Sequence, residues 1–445
     1  MSGEEDIVIS WGARLLRSLR AKPLRTLAVL LLVAAGLALG ALNLWAWHHL
    51  REANRLAERQ QFAEACADYA ECLRVWRWSA STHFLAGRTA RRAGLYEEAG
   101  RHLAESGKAM GSASGTPLPL ALEALLLQAQ SGDISEVEDV LWGYVKKDSP
   151  ETPLILEAMA QGYRRVLRLG AALRCLQMLL AREPDNVGAL VLRGWIREGG
   201  EPEDASKDYR RALELNPRRD DARQSLARIL IHERPDEARS LFEELMARQP
   251  NNLDVLRGLA EAYRAVGKPE KARPIFDALL AKNPHDSRAL AGLGSLTLAA
   301  GDETGGEALL RRAIAADPGN ADAHYQLYLC LAQQPGRGAE AATQRNDHKR
   351  VEADRTRLAQ IAVEEMTRTP NDPNLHYELG IIYLRNGKPD VGVRWLYSAL
   401  KVDPNHHPSH QALGDYFERI GDSEKAAQHR GQLRPEPAKP SPDQP

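Results

Sequence analysis

The chain has 445 residues, with 59 Lys and Arg against 60 Asp and Glu and a formal net charge of −1. That balance excludes the strong basic excess of a bulk nucleic-acid binder. Four cysteines, Cys66, Cys72, Cys175 and Cys330, form no C-x-x-C. They suit neither a zinc site nor a disulfide framework nor haem attachment, and are expected to be buried thiols on helix faces.

Residues 1–25 are expected to be a short cytoplasmic segment, acidic at the start and then basic through Arg14, Arg17, Arg20, Lys22 and Arg25. Ile7–Leu19 fits either a small amphipathic helix on a membrane surface or a frayed tail. Residues 26–47 read as a transmembrane anchor. Leu27–Trp47 carries no charge, and Asn43 is its only strongly polar residue. Roughly 20 helical residues cross a bilayer core, and Trp45 and Trp47 sit where interfacial aromatics belong. Five basic residues precede the span, and only Arg51, Arg55 and Arg59 follow closely. This bias places the N-terminus in the cytoplasm and residues 48–445 on the outer, periplasmic side of the cytoplasmic membrane. An uncleaved anchor is favoured over a signal peptide, because the leader is long and Ala38-Leu39-Gly40 is a poor cleavage site. Gly36 and Gly40 form a G-x-x-x-G that suits close packing of two membrane helices, hence a homodimer, although Gly is common in such helices without that role.

Residues 48–433 carry a regular beat. Helix-ending prolines recur at Pro150, Pro184, Pro217, Pro250, Pro284, Pro318, Pro370 and Pro404, separated by 34, 33, 33, 34, 34, 52 and 34 residues. Second-helix anchors keep the same phase: Ala205/Tyr209/Ala212, Ala238/Phe242/Leu245, Ala272/Phe276/Leu279 and Gly306/Leu310/Ala313. Within Asp372–Pro404, Leu379, Gly380, Tyr383, Gly392, Leu396, Ala399 and Pro404 fall at the spacing of a tetratricopeptide (TPR) repeat. The expected fold is therefore all-α: a right-handed TPR superhelix of about 10–11 helical hairpins behind one N-terminal transmembrane helix.

In order, 48–111 holds two divergent repeats, the first running straight out of the membrane helix. Gly111–Pro119 is the one flexible-looking break. Residues 119–318 are nearly regular. Unit 319–370 contains an 18-residue insertion, and its long charged helix, 339–367, is expected to project from the stack as a docking or self-association arm, or simply as a solvated helix. Residues 371–433 complete the array, with a cap at its end. Residues 434–445 are Pro-rich and expected to be disordered.

No Walker loop, nucleophile elbow or H-E-x-x-H occurs, so an enzyme is not expected. His406, His407 and His410, with His376 and His429, raise a metal or haem accessory reading. Against it, His49, His83, His324, His376 and His410 all occupy position 4 of a first helix, a packing slot. No cofactor or metal is expected. A TPR array instead offers a concave groove lined by the first helices. The lattice assigns to it Phe84, Arg88, Arg91, Arg92, Glu157, Gln161, Arg164, Arg165, Arg228, Arg257, Glu261, Arg264, Tyr377, Arg385, Asp415 and Arg419. Arginine forks pair with carboxylates, so the expected partner is a protein segment of acidic character; the alternative is arginine that merely solubilises a helix face.

The chain resembles bacterial membrane-anchored TPR proteins of unassigned function over about residues 48–433. VEADRTRLAQI and DPNLHYELGIIYLRNGKPDVGVRWLYSALKVDPNHHPSHQALGDYFERIGDSEKAAQHR look like a C-terminal module of such proteins. The resemblance implies an all-α superhelix and a non-enzymatic scaffold or assembly role. A self-associating envelope component is the structural alternative.

Overall fold

The structure is a computed structural model that describes residues 23–111, 118–132 and 134–433. The Ile7–Leu19 segment, the core of the 111–119 break and the 434–445 tail lie outside them. The described residues form α-helices joined by tight turns, and no strand occurs among them. The helices fall into two compact units, 1–146 and 147–445.

The first unit begins with a single 36-residue helix, α1 (Pro23–Glu58). Its apolar half is exposed from Leu27 to Leu44, and it is the one described helix long and apolar enough to cross a membrane. The same helix, uninterrupted, packs at its C-terminal end against α2 (Phe62–Val75), where Ala53, Ala65 and Tyr69 are enclosed. Two further pairs follow: α3 (Ala80–Arg92) with α4 (Tyr96–Met110), and α5 (Leu118–Ser131) with α6 (Glu138–Lys146).

The second unit stacks eight hairpins. They are α7/α8 (Thr152–Arg165, Leu169–Arg182), α9/α10 (Val187–Arg197, Pro202–Leu215), α11/α12 (Asp220–Leu230, Pro235–Arg248) and α13/α14 (Leu253–Ala265, Pro269–Lys282), followed by α15/α16 (Ser287–Ala299, Glu303–Ala316), α17/α18 (Ala321–Ala332, Gly338–Gln360), α19/α20 (Pro373–Arg385, Pro389–Val402) and α21/α22 (His407–Arg419, Ser423–Gly431). Most of these junctions share one chemistry: proline ends a helix, and the residue two positions later caps the next with its side chain, whereas Arg219 after Pro217 makes no such bond. Asn186, Asn252, Asp286, Asn320 and Asp372 each accept a backbone N–H in this way. Such caps are worth about 1 kcal/mol apiece.

The second-helix anchors are the core. Ala205, Tyr209, Ala238, Phe242, Leu245, Ala272, Phe276, Leu279, Leu310 and Ala313 are all at most 2% exposed. Small first-helix residues receive them. A Cβ on Gly258 would stand 2.3 Å from the Phe242 ring, and one on Gly292 2.4 Å from Phe276. Gly380 is similarly shut in by Leu396 at 2.7 Å. At these turns of the array a glycine stands opposite a bulky side chain.

The 339–367 segment does not project, contrary to the sequence expectation. α18 lies along its neighbours for its whole length. Ala341 joins the core beneath α17, His348 Nδ1 meets the Ala321 carbonyl at 3.1 Å, and Val351 and Asp354 are buried. A π turn, Ile361–Glu365, and a final turn, Met366–Arg368, continue it. Ile361 and Met366 are buried with Leu375, Leu379 and Ile382, and Leu167 packs against that cluster. The Thr367 hydroxyl accepts the Ala171 N–H at 3.3 Å, and a Cβ on Gly170 would meet the Val363 carbonyl at 2.1 Å. The long helix therefore carries the array back onto α8, and the second unit closes on itself.

Candidate functional site

Five of the histidines take two structural roles, while His49, also expected in the position-4 slot, meets Asp68 through Nδ1 at 2.6 Å. In the position-4 slot, His83, His324, His376 and His410 each place Nε2 on the carbonyl six residues earlier: Arg77 at 3.0 Å, Pro318 at 3.1 Å, Pro370 at 2.8 Å and Pro404 at 3.0 Å. A carbonyl only accepts, so Nε2 carries the proton in each. Nδ1 then faces the paired second helix. It meets His102 at 3.0 Å, Gln344 at 2.8 Å, Ser398 at 3.1 Å and His429 at 3.0 Å respectively. Arg223 fills the same slot, donating to the Pro217 carbonyl. His406 stands in the Asn/Asp capping position and accepts the Ser409 N–H. Among the described residues, no group of three His, Cys, Asp or Glu is placed to hold a metal, and all four cysteines are buried and outside any disulfide.

The arginines assigned to the groove divide sharply. In the first unit, Arg91 is not groove lining: it is 1% exposed, with Nε on Glu123 at 2.9 Å and Nη1 on Gln130 at 2.6 Å. Arg88 holds the other oxygen of Glu123 at 2.5 Å and covers the Phe84 ring, while Arg92 covers Phe62. In the second unit, Arg228 pairs with Glu198 and Arg257 clamps both Asp254 and Asp286. Burial opposes charge on Asp286, yet the Arg257 guanidinium and the Ala289 N–H hold its carboxyl below the usual range. Arg385 binds buried Asp354, which also accepts from Asn386. Arg164 covers the Trp195 ring at 5.4 Å, and Arg165 is engaged as well. These forks tie one repeat to the next.

The same use recurs at sites the sequence reading did not single out. Asp208, 5% exposed, takes a two-pronged bond from Arg193 and a third from Arg197. Glu307 lies between Arg337 and Arg311, which hold its carboxyl down at about 2. An i,i+4 spacing reveals Glu307–Arg311, but the other partners sit 11–30 residues apart.

What remains open is a cavity of about 520 Å³ inside the second unit. One wall carries Arg228, His232, Glu261, Arg288 and Asp322; the other carries Val351, Asp354, Arg355 and Leu358 of α18 with Tyr383 and Lys388. Arg264 lines the adjoining space of about 280 Å³. Burial pushes the Glu261 carboxyl up, against the pull of Arg288 and Arg264. A second cleft of about 460 Å³ brings together Tyr377, Arg385, Asp415 and Arg419, as the lattice implied, with His407 and Gln411 between them. Gly36 and Gly40 lie on the exposed part of α1 with nothing within 4 Å of a Cβ.

A stack of helical hairpins with interlocking glycines and an open inner wall defines a repeat solenoid of the protein-interaction kind. Residues 157–217 and 197–252 match one tetratricopeptide repeat family model, and residues 231–296 match another. Tetratricopeptide repeats are therefore recognised in residues 157–296. Solved structures with the same repeat include a TPR protein from Parabacteroides merdae ATCC 43184, 16% identical with a TM-score of 0.33, which covers 64% of this chain and 99% of its own. Another is YrrB, described as a TPR protein with an unusual peptide-binding site, 16% identical with a TM-score of 0.28, covering 53% and 96%. A third is the human IFIT1 dimer with m7Gppp-AAAA, 18% identical with a TM-score of 0.35, covering 80% and 90%. The curated proteins contain no match.

Proposed function

We propose that this protein is a non-enzymatic scaffold held in the cytoplasmic membrane by residues 26–47, with its N-terminus inside and its repeats on the outer side. The exposed apolar half of α1, leading without a break into the first repeat, supports the anchor. The partner is a polypeptide segment received by the inner wall of the second unit, with acidic groups seated on its cations. One observation carries this reading. Most assigned arginines are already paired within the chain, whereas Arg264, Arg288 and Lys388 face the cavity with no carboxylate of the described residues in ion-pair contact. Charges left unpaired in a confined space are the groups a partner's carboxylates would meet.

The test is an affinity pull-down from detergent-solubilised membranes, comparing wild type with Arg264→Glu/Arg288→Glu. A partner kept by wild type and lost by the variant supports the scaffold. Equal retention by both removes the inner wall from consideration.

A further inference from the structure

The turn between α2 and α3 holds Trp76, Arg77 and Trp78 in a fixed arrangement. The Trp76 N–H bonds back to the Cys72 carbonyl at 3.0 Å, and the Ser79 N–H bonds to the Trp76 carbonyl at 2.9 Å. Ser79 caps α3, and the Arg77 carbonyl is taken by His83 Nε2. The loop therefore has little freedom of its own. It is also pinned to α1: the Trp76 indole N–H donates to Asn43 Oδ1 at 2.8 Å.

Asn43 is the polar residue within the apolar half of α1. Its amide donates to the Leu39 carbonyl at 2.8 Å. Both ends of the side chain are thus satisfied, which a polar group in a bilayer requires. Ala46, three residues on, is fully enclosed, while Leu44, Trp45 and Trp47 remain exposed. Packing of the first repeat on α1 therefore begins at this level.

The level can be placed against a bilayer. A hydrocarbon core of ~30 Å takes about 20 residues at 1.5 Å each. Counted from Leu27, it ends near Trp47. Asn43 lies four residues earlier, about 6 Å nearer the bilayer centre along the helix. A loop bonded to Asn43 stands at the depth of the interfacial aromatics, not above it. Its outermost side chain is Trp78, 74% exposed, the most exposed of the large apolar residues described. The Arg77 guanidinium lies over the Trp78 ring at 4.7 Å, and Arg51 lies over Trp47 at 4.1 Å. An indole beside a guanidinium suits the headgroup region, where the ring meets the acyl boundary and the cation meets phosphate.

We propose that the Trp76–Trp78 loop is a second membrane contact, in which Trp78 inserts at the headgroup boundary and Arg77 pairs with a phospholipid phosphate. This rests on reading α1 as a membrane span. Two contacts, one through the bilayer and one beside it, fix the tilt and rotation of the first repeat on the surface. A span alone leaves the repeat free to swivel about the α1 axis.

The test uses the full chain in phosphatidylcholine–phosphatidylglycerol nanodiscs. A nitrobenzoxadiazole label is attached through Trp78→Cys or, separately, Leu31→Cys; the four native thiols are buried. The probe is a lipid carrying a nitroxide high on its acyl chain. Both labels are expected to lose emission severalfold on adding it. With Trp76→Phe added, the label at 78 should recover while the label at 31 stays quenched. If 31 is quenched and 78 is not, the loop faces water or a protein and the proposal falls, while the anchor stands. If neither is quenched, the anchor reading itself falls.

Discussion

Removing Glu123 should weaken the first unit far more than its position in an irregular repeat suggests. Glu123 is fully buried and takes Arg88 at 2.5 Å and Arg91 at 2.9 Å, and Arg91 is 1% exposed. Glu123→Ala leaves the buried Arg91 guanidinium held by Gln130. Breaking one side of a buried pair costs about 3–5 kcal/mol. In a solenoid that loss falls on adjacent repeats rather than on the whole chain. Each ~1.4 kcal/mol is a factor of ten, so amide protection in α3 and α5 should fall at least ~100-fold. Hydrogen exchange read by mass spectrometry, with the chain in nanodiscs, measures this directly. The shape-filling double variant Arg91→Met/Glu123→Leu should recover protection to within about 1 kcal/mol, since the buried guanidinium goes with its carboxylate and Arg88, about a third exposed, can turn to water. A Glu123→Ala profile within threefold of wild type would show that the buried pair carries no weight, and the reasoning would fail.

Gly170→Val should open the contact between α8 and the π turn, because even a Cβ would lie 2.1 Å from the Val363 carbonyl. Overpacking of this kind costs about 1–3 kcal/mol, and exchange should rise at 361–368 while α13 and α14 keep wild-type protection. Acid should loosen the last hairpin. Burial, then the neighbouring His410, lowers the pKa of His429 below its ordinary 6.5. The folded state therefore binds fewer protons than the unfolded one around that pH, and the stabilisation present above it is lost as pH falls below ~6.5. Protection factors in α21 and α22, corrected for the intrinsic exchange rate at each pH, should fall from pH 7.5 to pH 5.5, and His429→Leu should blunt the change. No pH effect in wild type would contradict the lowered pKa of His429.

The proline beat, the glycine sockets and the histidine slot were legible because each is a short-range rule repeated many times. Pro318, Pro370 and Pro404 end helices and also receive the position-4 imidazole, so period and slot report one geometry. The inner wall was legible only in part. Lattice position says which side of a helix a residue occupies, but not whether a carboxylate on another helix already holds it. Arg91 was misplaced for that reason, since Glu123 lies beyond the irregular 111–119 break. The long helix was misread because its charge suggested exposure. Asp354 is charged and 3% exposed, with Arg385 and Asn386 as its partners across a turn of the array. Closure onto α8 has no local signature, because it depends on small rotations summed over several hairpins.

That closure changes what kind of polymer the second unit is. An open solenoid has only near-neighbour contacts, so it can fray from either end and gain or lose a repeat with little penalty. Ala171 and Thr367 are 196 positions apart, and their bond requires every hairpin between them to be in place. Such a contact forms last during folding, since the chain between its ends must first be ordered. Once formed, it sets how many repeats must lie between its two ends. Deleting one hairpin would shorten the arc, and the two ends could no longer meet. The number of repeats between α8 and the π turn is therefore a fixed dimension of the molecule, as the number of staves is for a barrel.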